Sequence, residues 1–478
     1  MNPPVRRHLV IAVTTVKTLV RAIFWHTAIA TMVVGAALFA HAAQADAWDL
    51  DLGFGTGGKV VTNFDAGGNN LDRVVKILRY PDRFGGKYVA VGRVNMAGNV
   101  LAIGLARYLS NGALDPTFGS GGKVIKDACM SDITNAAFDS QFRIVVVGST
   151  SCSGNATKDV AVVRFNAFGG DDTSFAGDGG LAFKYTKSFD REDFAGAVLV
   201  LSDDSLLVGG GLKAVGGVES PYIQKVSASG VVAATASAQG LPTASDRRII
   251  GVVLDSFNSS IWLVRTVAPT QLVIGAVWKI NNASLASDTG FSATGGEHLL
   301  INSATAGFES CGTTESHQVT SIVRFGTRVV MFGYTNASPS LSFFMTRALD
   351  GGLRTYGCIK NGANAIDFTT LAATGSPDQG GSIYLAGSKV NQMGLFRVVK
   401  GQADGSTWVF DPNFNGGVPV GIDFPSATGQ PLISGAASIV HSHLQTVIAG
   451  ARVWNNTTSD LDFAMARFGE LIFTSGFE

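Results

Sequence analysis

Short apolar runs separated by clusters of glycine, asparagine and aspartate recur along the chain from about residue 50 to residue 468. Residues 58–64, 74–78, 87–93 and 101–108 form one set, and each run predicts a β-strand because it is short, rich in β-branched residues and bounded by turn formers. Several runs are apolar at consecutive positions, as in Val145-Val146-Val147 and Ala161-Val162-Val163. Both faces of such strands must be covered. Seven runs share one phrase: residues 87–92 (KYVAVG), 143–148 (RIVVVG), 205–209 (SLLVG), 260–265 (SIWLVR), 328–333 (RVVMFG), 382–387 (SIYLAG) and 445–450 (QTVIAG). Their spacing is about 60 residues, the signature of a repeat architecture. Four strands per unit, seven units and two covered faces predict an all-β, seven-bladed β-propeller with four-stranded blades. The first unit starts in mid-repeat and the last stops after FAMARF, so the strand at 58–64 is expected to pair beside 463–468 and shut the ring, leaving no open edge.

Residues 53–61, GFGTGGKVV, fit G-x-G-x-x-G and most of G-x-x-x-x-G-K-[ST]. A phosphate loop must follow a strand and open a helix, whose N-terminal amides hold the anion. Here KVVTNF follows, which has no helical period. The phrase also returns as LDPTFGSGGKV at 114–124, DDTSFAGDGG at 171–180, DTGFSATGG at 288–296 and DPNFNGG at 411–417. A nucleotide needs one such loop; a repeat needs a turn in every copy.

Composition agrees, with 59 glycines, 13 prolines, 30 phenylalanines and 15% charged residues. The first 45 residues differ: Arg6, Arg7, Lys17 and Arg21 precede an apolar run at 28–40 and a small-x-small site at 43–45, the pattern of a signal peptide cleaved after Ala45. That apolar run is shorter than the roughly 20 residues that span a bilayer. Residues 46–470 are then the repeat domain and 471–478 a C-terminal tail. Removing the leader takes four basic residues from a balance of 36 basic and 36 acidic, leaving a slightly acidic chain with no field for nucleic acid. Cys129, Cys152, Cys311 and Cys358 all lie in the exported part, where Cys129–Cys152 and Cys311–Cys358 are the simplest disulfide pairs.

A basic residue follows each apolar run: Arg107, Arg164, Lys225, Lys279, Arg347, Arg397 and Arg467. Converging, they would form a cationic ring for an acidic ligand. Paired with the turn aspartates, such as Asp115 eight residues after Arg107, Asp172 eight after Arg164 and Asp288 nine after Lys279, they are scaffold. Asp51 can serve Arg467 through ring closure. A position filled in every repeat favours scaffold. His441 and His443 in VHSHLQ have a spacing that can hold zinc or copper, without a third ligand nearby. Asp190, Glu192 and Asp193 could act as paired carboxylates, and Trp262, Trp278, Trp408 and Trp454 could stack on sugars or pack between blades. No catalytic motif, cofactor motif or calcium loop stands out.

GKYVAVG at 86–92 with GLARYLSNGALDPTFGSGGKV at 104–124 resembles the delta-60 repeat family of bacterial secreted and surface proteins, whose unit runs G-K-I-V-V-A-G, then A-L-A-R-Y-x-x-D-G-x-L-D-x-x-F-G-x-G-G. The resemblance weakens in the middle of the chain and implies a propeller-like fold without a transferable activity. The ending IFTSGFE at 472–478 resembles a C-terminal ending, IF-x-D-GFE, of exported Gram-negative proteins, with Ser475 in place of aspartate. The expected function is a secreted or cell-surface binding or scaffold module of a Gram-negative bacterium, monomeric, without cofactor, and with an extracellular protein or polysaccharide as partner; the periplasm is the alternative location. The alternative function is a propeller enzyme, such as a polysaccharide lyase, hydrolase or dehydrogenase, with its site in the axial funnel. Irregular copies at 191–194, 215–222 and 305–317 are where a site unique to one repeat is expected.

Overall fold

A computed structural model describes most of residues 50–469; residues 1–49, 470–478 and several connections, including 151–156, 186–190, 238–246, 267–272, 301–316, 389–394, 413–419, 424–435 and 442–445, lie outside the described residues. The described chain is almost entirely antiparallel strand. After β1 (Lys59–Thr62) come β2 (Arg73–Arg79), β3 (Tyr88–Met96), β4 (Val100–Tyr108) and β5 (Lys123–Lys126), which form one sheet in that order. The next is β6 (Met130–Phe138), β7 (Ile144–Thr150), β8 (Asp159–Phe165) and β9 (Gly180–Phe183). A third holds β10 (Arg191–Val200), β11 (Leu206–Ala214), β12 (Glu219–Val226) and β13 (Val232–Ser237). A fourth holds β14 (Arg247–Ser256), β15 (Ser259–Thr266), β16 (Val273–Asn281) and β17 (Gly296–Leu300). The fifth is β18 (His317–Phe325), β19 (Arg328–Thr335), β20 (Ser342–Ala348) and β21 (Arg354–Cys358), followed by the hairpin β22 (Lys360–Asn361) and β23 (Asn364–Ala365). The sixth has five strands, β24 (Ala372–Ser376), β25 (Ser382–Ser388), β26 (Leu395–Asp404), β27 (Thr407–Phe410) and β28 (Val420–Asp423). The last is β29 (Ala436–His441), β30 (Thr446–Asn455) and β31 (Asp460–Gly469), to which β1 adds the outer strand with Lys59 opposite Ala466 and Thr62 opposite Phe463.

The doubly apolar strands are explained by what covers each face. Val146 of β7 packs with Val89, Val91, Ile103 and Leu105 of the preceding sheet. Its neighbours Val145 and Val147 point the other way, onto Ala195, Leu206 and Val208 of the following one. Each such valine, fully buried, contributes about 1.5–3 kcal/mol relative to exposure. The same sandwiching joins the other sheets: Phe463 and Met465 of β31 pack with Val74, Ile77 and Ala90, and Leu207 and Ile223 with Trp262 and Trp278.

The first strand of each large sheet touches the first strand of the next: β2 with β6, β6 with β10, β10 with β14, β14 with β18, β18 with β24, β24 with β29 and β29 with β2. Six of these seven strands carry a register shift near the start, at Val74/Lys76, Ile133/Asn135, Ala195/Ala197, Ile249/Gly251, Val319/Ser321 and Ala436/Ser438. A bulge of this kind bends the strand and re-aims the side chains beside it. It also accounts for the repeated glycine. A Cβ on Gly148 would stand 2.0 Å from the carbonyl oxygen of Asp132, beside the bulge, and one on Gly92 would stand 2.0 Å from that of Arg73. The fourth copy has Val264 at this register position, opposite Ile249, one residue before the Arg265 that ends its phrase.

Candidate functional site

The turns that imitate a phosphate loop spend their amides on the neighbouring repeat. Gly55 N–H donates to the carbonyl of Asn111 at 2.7 Å, Gly119 to Phe168 at 2.9 Å, and Ala176, in the third copy, to Ser229 at 2.9 Å. Their backbones at Gly55 and Gly119 are left-handed, with φ of 58° and 53°.

The basic positions complete the same joint. Arg107 Nε lies 2.9 Å from Asp115 Oδ2, another guanidinium nitrogen donates to the Ala167 carbonyl at 2.5 Å, and the group lies over the Phe118 ring. Arg164 repeats this with Asp172 at 2.6 Å, the Ala228 carbonyl at 2.7 Å and Phe175. Arg467 pairs with Asp51 at 2.9 Å, reaches the Ser110 carbonyl and covers Phe54. Lys279 pairs with Asp255 at 3.0 Å and Asp288 at 3.2 Å and reaches the Leu349 carbonyl. Arg347 differs, donating to the Phe291 carbonyl and lying over that ring, while Lys225 acts electrostatically on Asp203. The side chain of Arg397 lies outside the described residues. Burial opposes the charge of Asp115, but hydrogen bonds from Lys87 and Thr117 and the field of Arg107 outweigh it and hold the carboxyl well below the usual range. Asp172 is held low in the same way by Ser174 and Arg164.

The remaining candidates are scattered. Cys129 and Cys358 are both disulfide-bonded, and Cys152 and Cys311 lie outside the described residues. His441 stacks on Tyr384 at 4.5 Å, and His443 lies outside the described residues. No group of three metal-ligating side chains occurs among the described residues. Trp262 and Trp278 are buried, each donating its ring N–H to a serine, Ser260 at 2.9 Å and Ser287 at 3.0 Å, and Trp408 packs between Phe332 and Phe344. Asp193 is buried on β10; Asp190 and residues 305–316 lie outside the described residues.

One cavity joins all seven large sheets. Its volume is about 480 Å³, and β2, β6, β10, β14, β18, β24 and β29 each contribute to its wall. The bulges shape its chemistry, because the residue just after five of the six shifts lines the wall: Lys76, Asn135, Gly251, Ser321 and Ser438. Thr134 and Thr320 add two hydroxyls, and apolar side chains such as Val75, Ile250 and Ile439 complete the wall. No acidic side chain lines it among the described residues. Ser438 Oγ accepts the Ile77 backbone N–H at 3.1 Å, which fixes it beside Lys76 on the neighbouring strand. Burial pushes the Lys76 pKa below the ordinary lysine value. Sequence reasoning missed this residue; the signal was a lone lysine in the apolar run VVKIL.

Residues 86–118 match the model of a family described as a domain of unknown function (DUF5122) beta-propeller. The fold is a β-propeller. Solved structures similar to this propeller include the beta-propeller domain of the Trilobed protease from Pyrococcus furiosus, 8% identical with a TM-score of 0.40, over 85% of this chain and 100% of that one. AofleA from Arthrobotrys oligospora is 11% identical with a TM-score of 0.38, over 79% of this chain and 94% of that one. Trypanosoma rangeli sialidase in complex with the inhibitor DANA is 10% identical with a TM-score of 0.37, over 84% of this chain and 55% of that one. No curated protein matches the sequence. No helix among the described residues is long and apolar enough to cross a membrane.

Proposed function

We propose that this chain is an exported, seven-bladed β-propeller, closed into a ring by the pairing of β1 with β31, that works as a binding module with its ligand site in the axial cavity. The observation that carries this reading is the succession of first strands, each touching the next and β29 touching β2, around a cavity to whose wall all seven contribute. Its volume falls in the range of about 300–1,000 Å³ that suits a small molecule, and polar side chains from several strands converge on it to orient one. The slightly acidic mature chain and the leader-like first 45 residues support secretion to the cell surface or periplasm of a Gram-negative bacterium, as a monomer, with an extracellular protein or polysaccharide as the partner of its outer loops. The repeated basic residues are scaffold in this reading, since Arg107, Arg164 and Arg467 are satisfied by turn aspartates and neighbouring carbonyls.

The test is a fragment screen by ligand-observed NMR on the mature chain and on an Ala437→Trp variant, in which an indole obstructs the cavity. Fragments that bind the parent and are lost from the variant support the reading. A screen in which no fragment distinguishes the two proteins contradicts it.

A further inference from the structure

We infer that the axial cavity takes a small organic carboxylate, whose anionic head sits at the level of Lys76, Asn135, Ser321 and Ser438 and whose body contacts apolar wall residues such as Val75, Ile250 and Ile439. The inference rests on the ligand-cavity reading above and adds the class of ligand. It starts from the bulges. In β2, β6, β18 and β29 the residue following the register shift is polar, and in each case it lines the cavity, so four polar side chains from four strands converge on it.

Their hydrogen-bonding capacity points inward as donors. Lys76 makes no ion pair among the described residues. The nearest acid on the flanking strand, Asp132, stands opposite Arg73, with an N–O separation of 3.9 Å. Ser438 Oγ already accepts from Ile77 N–H, which leaves its own hydrogen to donate. Asn135 Oδ1 accepts the Ala136 N–H at 2.9 Å, and its amide nitrogen donates one hydrogen to the Gly196 carbonyl at 3.4 Å, which leaves the other to donate. Ser321 Oγ is buried with no hydrogen-bond partner. Buried polar groups are nearly always satisfied, so a cation and an unsatisfied hydroxyl around one cavity call for an acceptor. Burial also disfavours the lysine charge, and an anion beside it would restore that charge.

The count of charges selects the class. One cation matches a monoanion; a phosphate or sulfate dianion would leave a net negative charge in a wall lined by Val75, Ile250 and Ile439, at the cost of burying it unpaired. Val75, Ile250 and Ile439 offer contact to an organic body that a bare ion cannot use.

Isothermal titration of the mature chain with butyrate, phenylacetate and benzoate, with the matching neutral amides, and with sodium sulfate tests this. The expected result is saturable binding of at least one carboxylate, at least tenfold tighter than its amide and than sulfate. The preference is expected to vanish in Lys76→Met, to persist in Lys76→Arg, and to be unchanged in Arg73→Met, which does not line the cavity; circular dichroism of each variant verifies folding. Amides that bind as well as carboxylates overturn the inference while leaving the cavity reading intact. Sulfate binding tighter than every carboxylate overturns it in favour of an inorganic-anion site. Binding of no compound in the panel also overturns it, and the fragment screen then decides whether the cavity reading falls as well.

Discussion

Arg164 Nε stands 2.6 Å from Asp172 Oδ2 on the turn of its own repeat, and the same guanidinium donates to the carbonyl of Ala228 in the next repeat at 2.7 Å. One side chain thus ties the fold of a blade to the packing between blades. The pair is almost wholly withdrawn from solvent, with 1% and 10% side-chain exposure. Arg164→Ala leaves buried Asp172 with only the longer ion pair to Arg143 at 3.5 Å, and a loss at the lower end of about 3–5 kcal/mol is expected. Arg467→Ala, whose partner Asp51 is 30% exposed, should cost less. Urea unfolding of both variants measures the difference.

Acid should loosen these joints. The carboxyls of Asp115 and Asp172 are held below the usual range in the folded chain, and an unfolded aspartate titrates near about 3.9. The unfolded state therefore binds more protons, so the stabilisation is complete above the unfolded value and is lost as pH falls through it toward the folded values. The melting temperature of the parent should fall steeply below about pH 4. Asp115→Asn should be less stable at pH 7 and show a shallower acid limb.

The repeated glycines serve two different needs. Gly148→Ala would set a Cβ 2.0 Å from the Asp132 carbonyl, and the bulge cannot give way without disturbing the cavity wall, so a loss of about 1–3 kcal/mol or more is expected. Gly121, at φ 60° with open space around it, needs only the left-handed backbone. Asparagine adopts that conformation readily, so Gly121→Asn should be nearly neutral. Thermal melts of the two variants separate the causes.

Lys76 carries a stability signature of its own. Its folded pKa lies below the unfolded one, so the unfolded state binds more protons across the interval between them, and stability rises with pH there. Lys76→Met should be more stable than the parent at pH 7 without ligand and should lack the alkaline rise. Tm recorded from pH 7 to 10 checks both.

Much of the fold was legible because the strands announce themselves. Val145-Val146-Val147 has no polar face, and only a sheet covered on both sides accommodates it. The ion pairs of Arg107 and Arg164 were legible from a fixed spacing to Asp115 and Asp172. Their second bonds were not, since the carbonyls of Ala167 and Ala228 leave no mark in the side-chain pattern. The cavity was hidden for a related reason. A bulge is defined against the partner strand, so nothing in VVKIL, ITNAA or ASIVH shows that Lys76, Asn135 and Ser438 line one cavity. The sequence drew attention to the basic residue present in every repeat, whereas the distinctive one occurs once.

The proposed ring closure rests on β1 and β31 sharing a sheet. A Cβ at Gly469 would lie 3.6 Å from the Cβ of Asp51, within the roughly 3.5–4.5 Å a disulfide requires. The variant Asp51→Cys with Gly469→Cys, oxidised in the native state and mapped by mass spectrometry, should form the 51–469 crosslink in nearly every molecule and melt at a higher temperature than its reduced form. Two thiols that stay open to alkylation in the oxidised, folded protein would contradict the closure.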